Sequence, residues 1–205
     1  MTALPDSSDT SPTRLAPPPW TLEGRAVATL ARAPDGGVGL LVFARYTGSP
    51  VGPYDEVLWI PRLAPPLAIT AIRVSTPDSL VWGRRNWGIP KELATFAWEE
   101  DGGRWSARAT APGADAPFAV LTVEGRGPVI PLPARWLPAA LRRFDQLADG
   151  KHFQFTPAGT ARGRLARVRD ARIAGDGFPE LRVGPAAMEI DRFRVTLPAP
   201  VVRSG

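Results

Sequence analysis

Arg25-Ala26-Val27-Ala28-Thr29-Leu30-Ala31-Arg32, then Asp35-Gly36-Gly37, then Val38-Gly39-Leu40-Leu41-Val42-Phe43-Ala44-Arg45-Tyr46: this stretch decides the fold class. Two short apolar runs, each with β-branched residues, flank an Asp-Gly-Gly turn, the pattern of a β-hairpin. The pattern continues downstream. Gly48 to Tyr54 reads as a tight loop, Glu56 to Pro61 as a third strand and Leu67 to Val74 as a fourth. Thr76 is a helix cap and Pro77 a first helical residue, so a short helix is expected from Asp78 to about Arg85. Further strands are expected at Ala94–Glu99, Arg104–Ala109, Phe118–Glu124, Phe153–Thr156, Gly163–Ile173 and Met188–Leu197, the last of the chain. Trp136, Leu137, Ala140, Leu141, Phe144 and Leu147 have the spacing of one apolar helix face, which predicts a helix over 134–148 with Pro138 in its first turn.

The 24 prolines and 20 glycines make the chain turn-rich and argue against a helical bundle. The expected fold is mainly β (α+β): an antiparallel β-barrel or curved sheet with one or two helices. A barrel mouth is a natural place for a small-molecule pocket. A length of 205 residues suits one domain. Residues 1–19 are rich in Ser, Thr, Asp and Pro and are expected to form a mobile tail. The folded domain is then 20–205.

Composition removes several kinds of chemistry. Cysteine is absent, which excludes disulfides, thiolate metal sites and cysteine nucleophiles. A single histidine, His152, leaves no His-based metal centre and makes a Ser-His-Asp triad a poor candidate. The net charge of +5 is compatible with acidic ligands, but no nucleic-acid motif is present and no nucleic-acid partner is expected. Arg162, Arg164, Arg167 and Arg169 read as the solvated, charge-protected face of an edge strand rather than as an anion site. No apolar run approaches about 18 residues, and the N-terminus lacks a basic-then-apolar signal, so no membrane partner and a cytoplasmic location are expected.

Only two of the 25 basic residues are lysines, Lys91 and Lys151. Arginine stays protonated and cannot serve as a nucleophile, whereas a buried lysine can. Trp87, Ile89, Pro90, Leu93 and Phe96 offer Lys91 an apolar wall. On these residues alone an ordinary surface lysine is the favoured reading. Asp55 and Glu56 follow a Gly-Pro-Tyr turn, and on a strand at most one of them enters a given pocket.

Gly83-Arg84…Pro90-Lys91…Leu93 resembles the Gly-Arg-Glu…Pro-Lys-Lys-Leu motif of the acetoacetate decarboxylase family. Gly52-Pro53-Tyr54-Asp55-Glu56 resembles that family's Tyr-x-Glu element, in the right order and at a similar interval. The resemblance spans Trp20 to the C-terminus and is firmest over Tyr46–Phe96. It implies an antiparallel barrel that needs no metal or organic cofactor. It implies Lys91 as the Schiff-base lysine and Glu56 as the active-site glutamate. Arg25 would meet the substrate carboxylate, and Tyr54 and Trp87 would contact the substrate. The implied partner is a small keto acid such as acetoacetate, and the implied assembly a homo-oligomer. The implied activity is decarboxylation of a β-keto acid. The alternatives are a lysine-dependent aldolase or dehydratase acting on a keto acid, and a non-catalytic small-molecule-binding barrel. Two departures stand out: Glu92 occupies the place of the family's second lysine, and Arg85 that of its glutamate. An extra family segment after the first strand is also missing.

Overall fold

The computed structural model describes residues 14–132 and 139–205. β1 (Trp20–Arg32) and β2 (Val38–Gly48) form the hairpin. Its turn places Gly36 at φ 85°, and the Asp35 carboxylate accepts the Gly37 amide at 2.9 Å. Only glycine adopts that φ without strain.

The chain continues through β3 (Tyr54–Ile60), β4 (Ala71–Val74), α1 (Pro77–Trp87), β5 (Lys91–Leu93), β6 (Thr95–Asp101), β7 (Arg104–Thr110) and β8 (Ala119–Pro131). A 3-10 turn, Ala139–Arg142, precedes β9 (Phe144–Ala148) and β10 (Lys151–Phe155). Two long strands, β11 (Ala158–Gly175) and β12 (Phe178–Leu197), and the short β13 (Val201–Ser204) complete it.

Ten strands form one sheet in the order β5-β4-β3-β2-β1-β12-β11-β8-β7-β6, and β13-β10-β9 form a second. All pairs are antiparallel except β4 with β5. The two edge strands of the large sheet, β5 and β6, are separated in sequence by Ala94 alone. That connection draws the edges together, so the sheet curls into a nearly closed barrel.

Alternation along β1–β3 sends side chains to two different cores. Val27, Leu41, Phe43, Val57 and Trp59 face the barrel interior and meet Trp105, Ala107, Leu121 and Val123. Leu22, Ala26, Ala44, Tyr46 and Tyr54 face the other way, towards α1 and the small sheet, and meet Trp87 and Phe155. These central strands are therefore buried on both faces, which is why their sequences are nearly continuous apolar runs. Each fully buried Val, Leu or Phe contributes roughly 1.5–3 kcal/mol.

Four expectations change. First, residues 1–13 lie outside the described residues, but 14–19 do not behave as a tail. Ala16 is buried, and its carbonyl accepts bonds from Trp20 Nε1 (2.9 Å) and Asn86 Nδ2 (2.8 Å). The Arg14 carbonyl accepts from Trp82 Nε1 at 2.6 Å. The segment cannot order itself; buried donors on α1 and β1 order it.

Second, the helix expected over 134–148 is a 3-10 turn followed by a strand, with 133–138 outside the described residues. Phe144 stacks on Phe155 of β10 at 5.2 Å, and Leu147 is turned outward. Gln146, between them, is buried and exchanges hydrogen bonds with the backbone of Ile69 (2.8 and 3.0 Å). Tertiary pairing here overrides a spacing that fits a helix equally well.

Third, the arginine-rich strand is not an edge. β11 lies between β12 and β8, and Arg164 pairs with Glu189 of β12 through Nε (3.0 Å) and Nη2 (3.1 Å). Fourth, β12 begins at Phe178, ten residues before the expected start at Met188, and β13 follows it.

Candidate active site

Helix α1 and the turn after it place the lysine. Thr76 caps the helix, accepting from the Ser79 amide, and Pro77 opens it. Gly88 ends it in the left-handed region at φ 64°, where its amide reaches the Arg84 carbonyl (2.9 Å) and the Ile89 amide the Gly83 carbonyl. This glycine-capped end reverses the chain into β5. Lys91, the first residue of β5, pairs with Ile72 of β4. Arg84 Nε donates to the Lys91 carbonyl at 2.7 Å and pins that backbone to the helix.

The lysine side chain then runs back across α1 at Gly83. A Cβ on Gly83 would stand 2.5 Å from Lys91 Cδ and 2.7 Å from Cε. Nζ ends in a buried polar cluster. It donates to Glu56 Oε2 at 2.9 Å and to Ser79 Oγ at 3.0 Å, and lies 5.0 Å from the centre of the Tyr54 ring. Tyr46 Oη donates to Glu56 Oε1 at 2.9 Å, and the Tyr46 and Tyr54 rings stack at 4.3 Å. The side chains of Lys91 and Glu56 are each 5% exposed. Burial, reinforced by the Glu56 charge, pushes both phenols well above the ordinary tyrosine range. Tyr46 and Tyr54 therefore stay protonated at neutral pH.

The cluster lies at one end of a chamber of about 280 Å³. Among the described residues that line it, Tyr46, Tyr54, Glu56 and Lys91 contribute the charged and hydroxyl groups, and the others are aliphatic or aromatic. Trp87 forms part of the wall, packs edge-on against Trp20 at 5.0 Å, and donates its Nε1 to the Pro198 carbonyl at 2.8 Å. An amine with a carboxylate at hydrogen-bond distance, facing an apolar chamber, can attack a carbonyl while the carboxylate carries its proton.

The family model for acetoacetate decarboxylase (ADC) matches residues 29–195. The chain belongs to the acetoacetate decarboxylase family. Among solved structures it resembles the acetoacetate decarboxylase of Legionella pneumophila subsp. pneumophila str. Philadelphia 1, with a TM-score of 0.64 and 14% identity. That match covers 100% of this chain and 98% of the other. An acetoacetate decarboxylase-like enzyme from Sphingomonas wittichii RW1 matches with a TM-score of 0.58 and 10% identity, over 93% of this chain and 94% of that one. At these identities the structures show a shared fold. No curated protein matches the chain.

Within this family member the structure brings four of the five expected site residues to one chamber: Lys91, Glu56, Tyr54 and Trp87. Lys151, the other lysine, is exposed on β10. Arg25 is not in the chamber. It pairs in register with Arg45, whereas its neighbours Gly24 and Ala26 pair with Tyr46 and Ala44 of the chamber side. Strand alternation thus turns Arg25 to the opposite face, where Nη1 meets Glu100 at 2.5 Å. The departure at Glu92 is resolved by the same rule. Glu92 points away from Lys91 and binds Arg73 Nη2 at 2.7 Å, and Arg73 Nε also holds Asp176 at 2.5 Å.

Sequence reasoning missed Ser79 and Tyr46. Ser79 stands one helical turn before Gly83, so both fall on the face that Lys91 crosses; that i, i+4 relation was the available signal. Tyr46 is directly opposite Tyr54 across β2 and β3, a register visible only once those strands pair.

Proposed function

We propose that this protein is a Schiff-base enzyme in which Lys91 attacks a carbonyl substrate, with decarboxylation of a β-keto acid as the reaction. The observation that carries this reading is Lys91 Nζ, buried 2.9 Å from Glu56 at the end of an apolar chamber. The family likeness agrees with it.

The steps follow from the contacts. Nζ passes a proton to Glu56 Oε2. The neutral amine adds to the carbonyl carbon, and the carbonyl oxygen takes up a proton. Glu56 returns its proton as that oxygen leaves as water, and an iminium ion remains. In a β-keto acid the bond to the carboxylate carbon then breaks. Its electron pair flows into the iminium, carbon dioxide departs, and an enamine is left. Protonation at carbon and hydrolysis release the ketone and free Lys91. Ser79 and Tyr46 hold the lysine and the carboxylate in line throughout, and Tyr54 forms the wall beneath the amine.

A specific observation favours a second reading, aldol or dehydration chemistry on the same iminium with a carbonyl substrate that carries no carboxylate. Arg25 lies on the other face, and Lys91 is the one cation among the described residues lining the chamber. A substrate carboxylate would lack the arginine expected for it.

The test is carbon dioxide release from acetoacetate, compared with the spontaneous rate, for the native protein and Lys91→Arg. Release by the native protein that is lost in Lys91→Arg supports decarboxylation, because arginine keeps the charge but forms no imine. No carbon dioxide from acetoacetate, together with Lys91-dependent retro-aldol cleavage or dehydration of a β-hydroxy ketone such as 4-hydroxy-4-methyl-2-pentanone, supports the second reading. No product from either substrate, with ligand binding retained in Lys91→Arg, would leave a binding barrel.

A further inference from the structure

The floor of the chamber follows one row of cross-strand partners. Glu56 of β3 faces Ala44 of β2, Ala44 faces Ala26 of β1, and Ala26 faces Ile190 of β12. Three inter-strand steps of about 4.8 Å separate Glu56 from Ile190, or about 14 Å along the sheet. The two positions between them carry only methyl groups. They leave a trench where larger side chains would close the floor. Beyond it, Ala161 of β11 forms the far wall, while Phe193 of β12 lines the side of the chamber, edge-on against Tyr46 at 5.5 Å.

Polarity is as uneven as shape. Every charged or hydroxyl group among the described lining residues stands at the Lys91 end, and the trench offers none. Charge balance adds a constraint. The resting cluster holds one cation and one anion, Lys91 and Glu56. An iminium formed from a neutral carbonyl compound restores the same balance. A charged group farther along the substrate would lie unpaired in apolar surroundings, which is strongly unfavourable. A ligand of four carbons would leave the trench unfilled.

We infer that the chamber selects carbonyl compounds with an extended apolar body, an alkyl chain or an aryl ring, lying over Ala44 and Ala26 with the carbonyl at Lys91. This assignment rests on the reading of Lys91 as the imine-forming lysine.

Two readouts on the full chain separate the two ideas: borohydride trapping at Lys91, and quenching of tryptophan fluorescence, since Trp20 and Trp87 line the chamber. The probes are 2-butanone, 2-hexanone and 2-octanone. Burial of each added methylene is worth about 0.8 kcal/mol, or about fourfold. Half-saturation by 2-octanone is therefore expected on the order of a hundredfold below that by 2-butanone. Ala26→Leu, which fills the middle of the trench, should reduce that ratio to below about tenfold, and Ala161→Phe at the far wall should shorten the preferred chain. Thermal melting identifies a variant that fails to fold, in which case the other decides. Adducts that form with no dependence on chain length would overturn the apolar-body assignment and leave the imine reading intact. Length-dependent quenching without any adduct would do the reverse.

Discussion

Gly83 and Lys91 occupy one space: the lysine stem crosses helix α1 at the position where Gly83 has no side chain, and a Cβ there would stand 2.5 Å from Lys91 Cδ. A mid-helix glycine normally weakens a helix by roughly 0.5–1 kcal/mol relative to alanine. Gly83→Ala should nevertheless fail to stabilise this protein, because the added methyl must displace the lysine, and overpacking costs about 1–3 kcal/mol. Nζ would leave Glu56 and Ser79. The expected result is at least about a tenfold loss in the rate of adduct formation, consistent with misplacement of a reacting group. Unchanged trapping with raised thermal stability would show that the lysine does not need this path.

The Lys91–Glu56 pair is buried, so its two halves should behave very differently alone and together. Removing one partner of a buried pair leaves a charge without compensation and costs about 3–5 kcal/mol. Replacing both with apolar residues is often neutral or stabilising. Glu56→Leu and Lys91→Met should each lower the denaturation midpoint strongly, whereas the double variant should recover most of the loss. Additive losses in the double variant would mean that the two groups do not depend on each other.

The chain has two tyrosines, and both belong to the site. Their protons are held well above the ordinary value of 10.0 by burial and then by the Glu56 charge. The unfolded chain releases them near that ordinary value. The folded state then binds more protons than the unfolded state, so stability falls as pH rises. The contribution is fully present below about pH 10 and is lost as pH rises towards the folded values. Tyrosinate absorbance of the native protein should therefore stay flat through pH 10 and appear only with unfolding. Reversible ionisation of both phenols near pH 10, with the fold intact, would contradict the buried cluster.

Strand alternation makes a paired prediction for Arg25 and Glu92. Both side chains face away from the chamber, towards Glu100 and Arg73 respectively. Arg25→Ala and Glu92→Lys should leave adduct formation within about threefold of the native rate, since effects of remote surface changes are typically within about 0.5 kcal/mol. Glu92→Lys sets a second cation beside buried Arg73, which keeps Asp176 as its partner, at a cost of at least about 1 kcal/mol. That corresponds to at least about 2–4 °C in thermal midpoint for a chain of this size.

What the sequence disclosed and what it hid follows from how local each feature is. The β1–β2 hairpin and helix α1 were legible because Asp35-Gly36-Gly37, Thr76 and Pro77 act on their own neighbours. Lys91, Glu56, Tyr54 and Trp87 were legible through their motifs and through the scarcity of lysine. The facing of Arg25 depends on register with β2, and the interior position of β11 depends on strand order; neither is written in a single strand. Phe144 and Leu147 misled because their spacing fits a helix, while the pairing of β9 with β10 that overrides it lies elsewhere in the chain. Ala16 is buried because Trp20 and Asn86 supply donors, which no reading of 1–19 in isolation could contain.

The most direct measurement is borohydride reduction in the presence of acetoacetate, with 2-octanone as a second probe, followed by mass analysis of the intact protein and of the peptides carrying its two lysines. The expected result is a single reduced adduct on buried Lys91, none on exposed Lys151, and none in Lys91→Ala. Adduct on Lys151 alone, or no adduct with either probe from a folded protein, would contradict a Schiff-base role for Lys91.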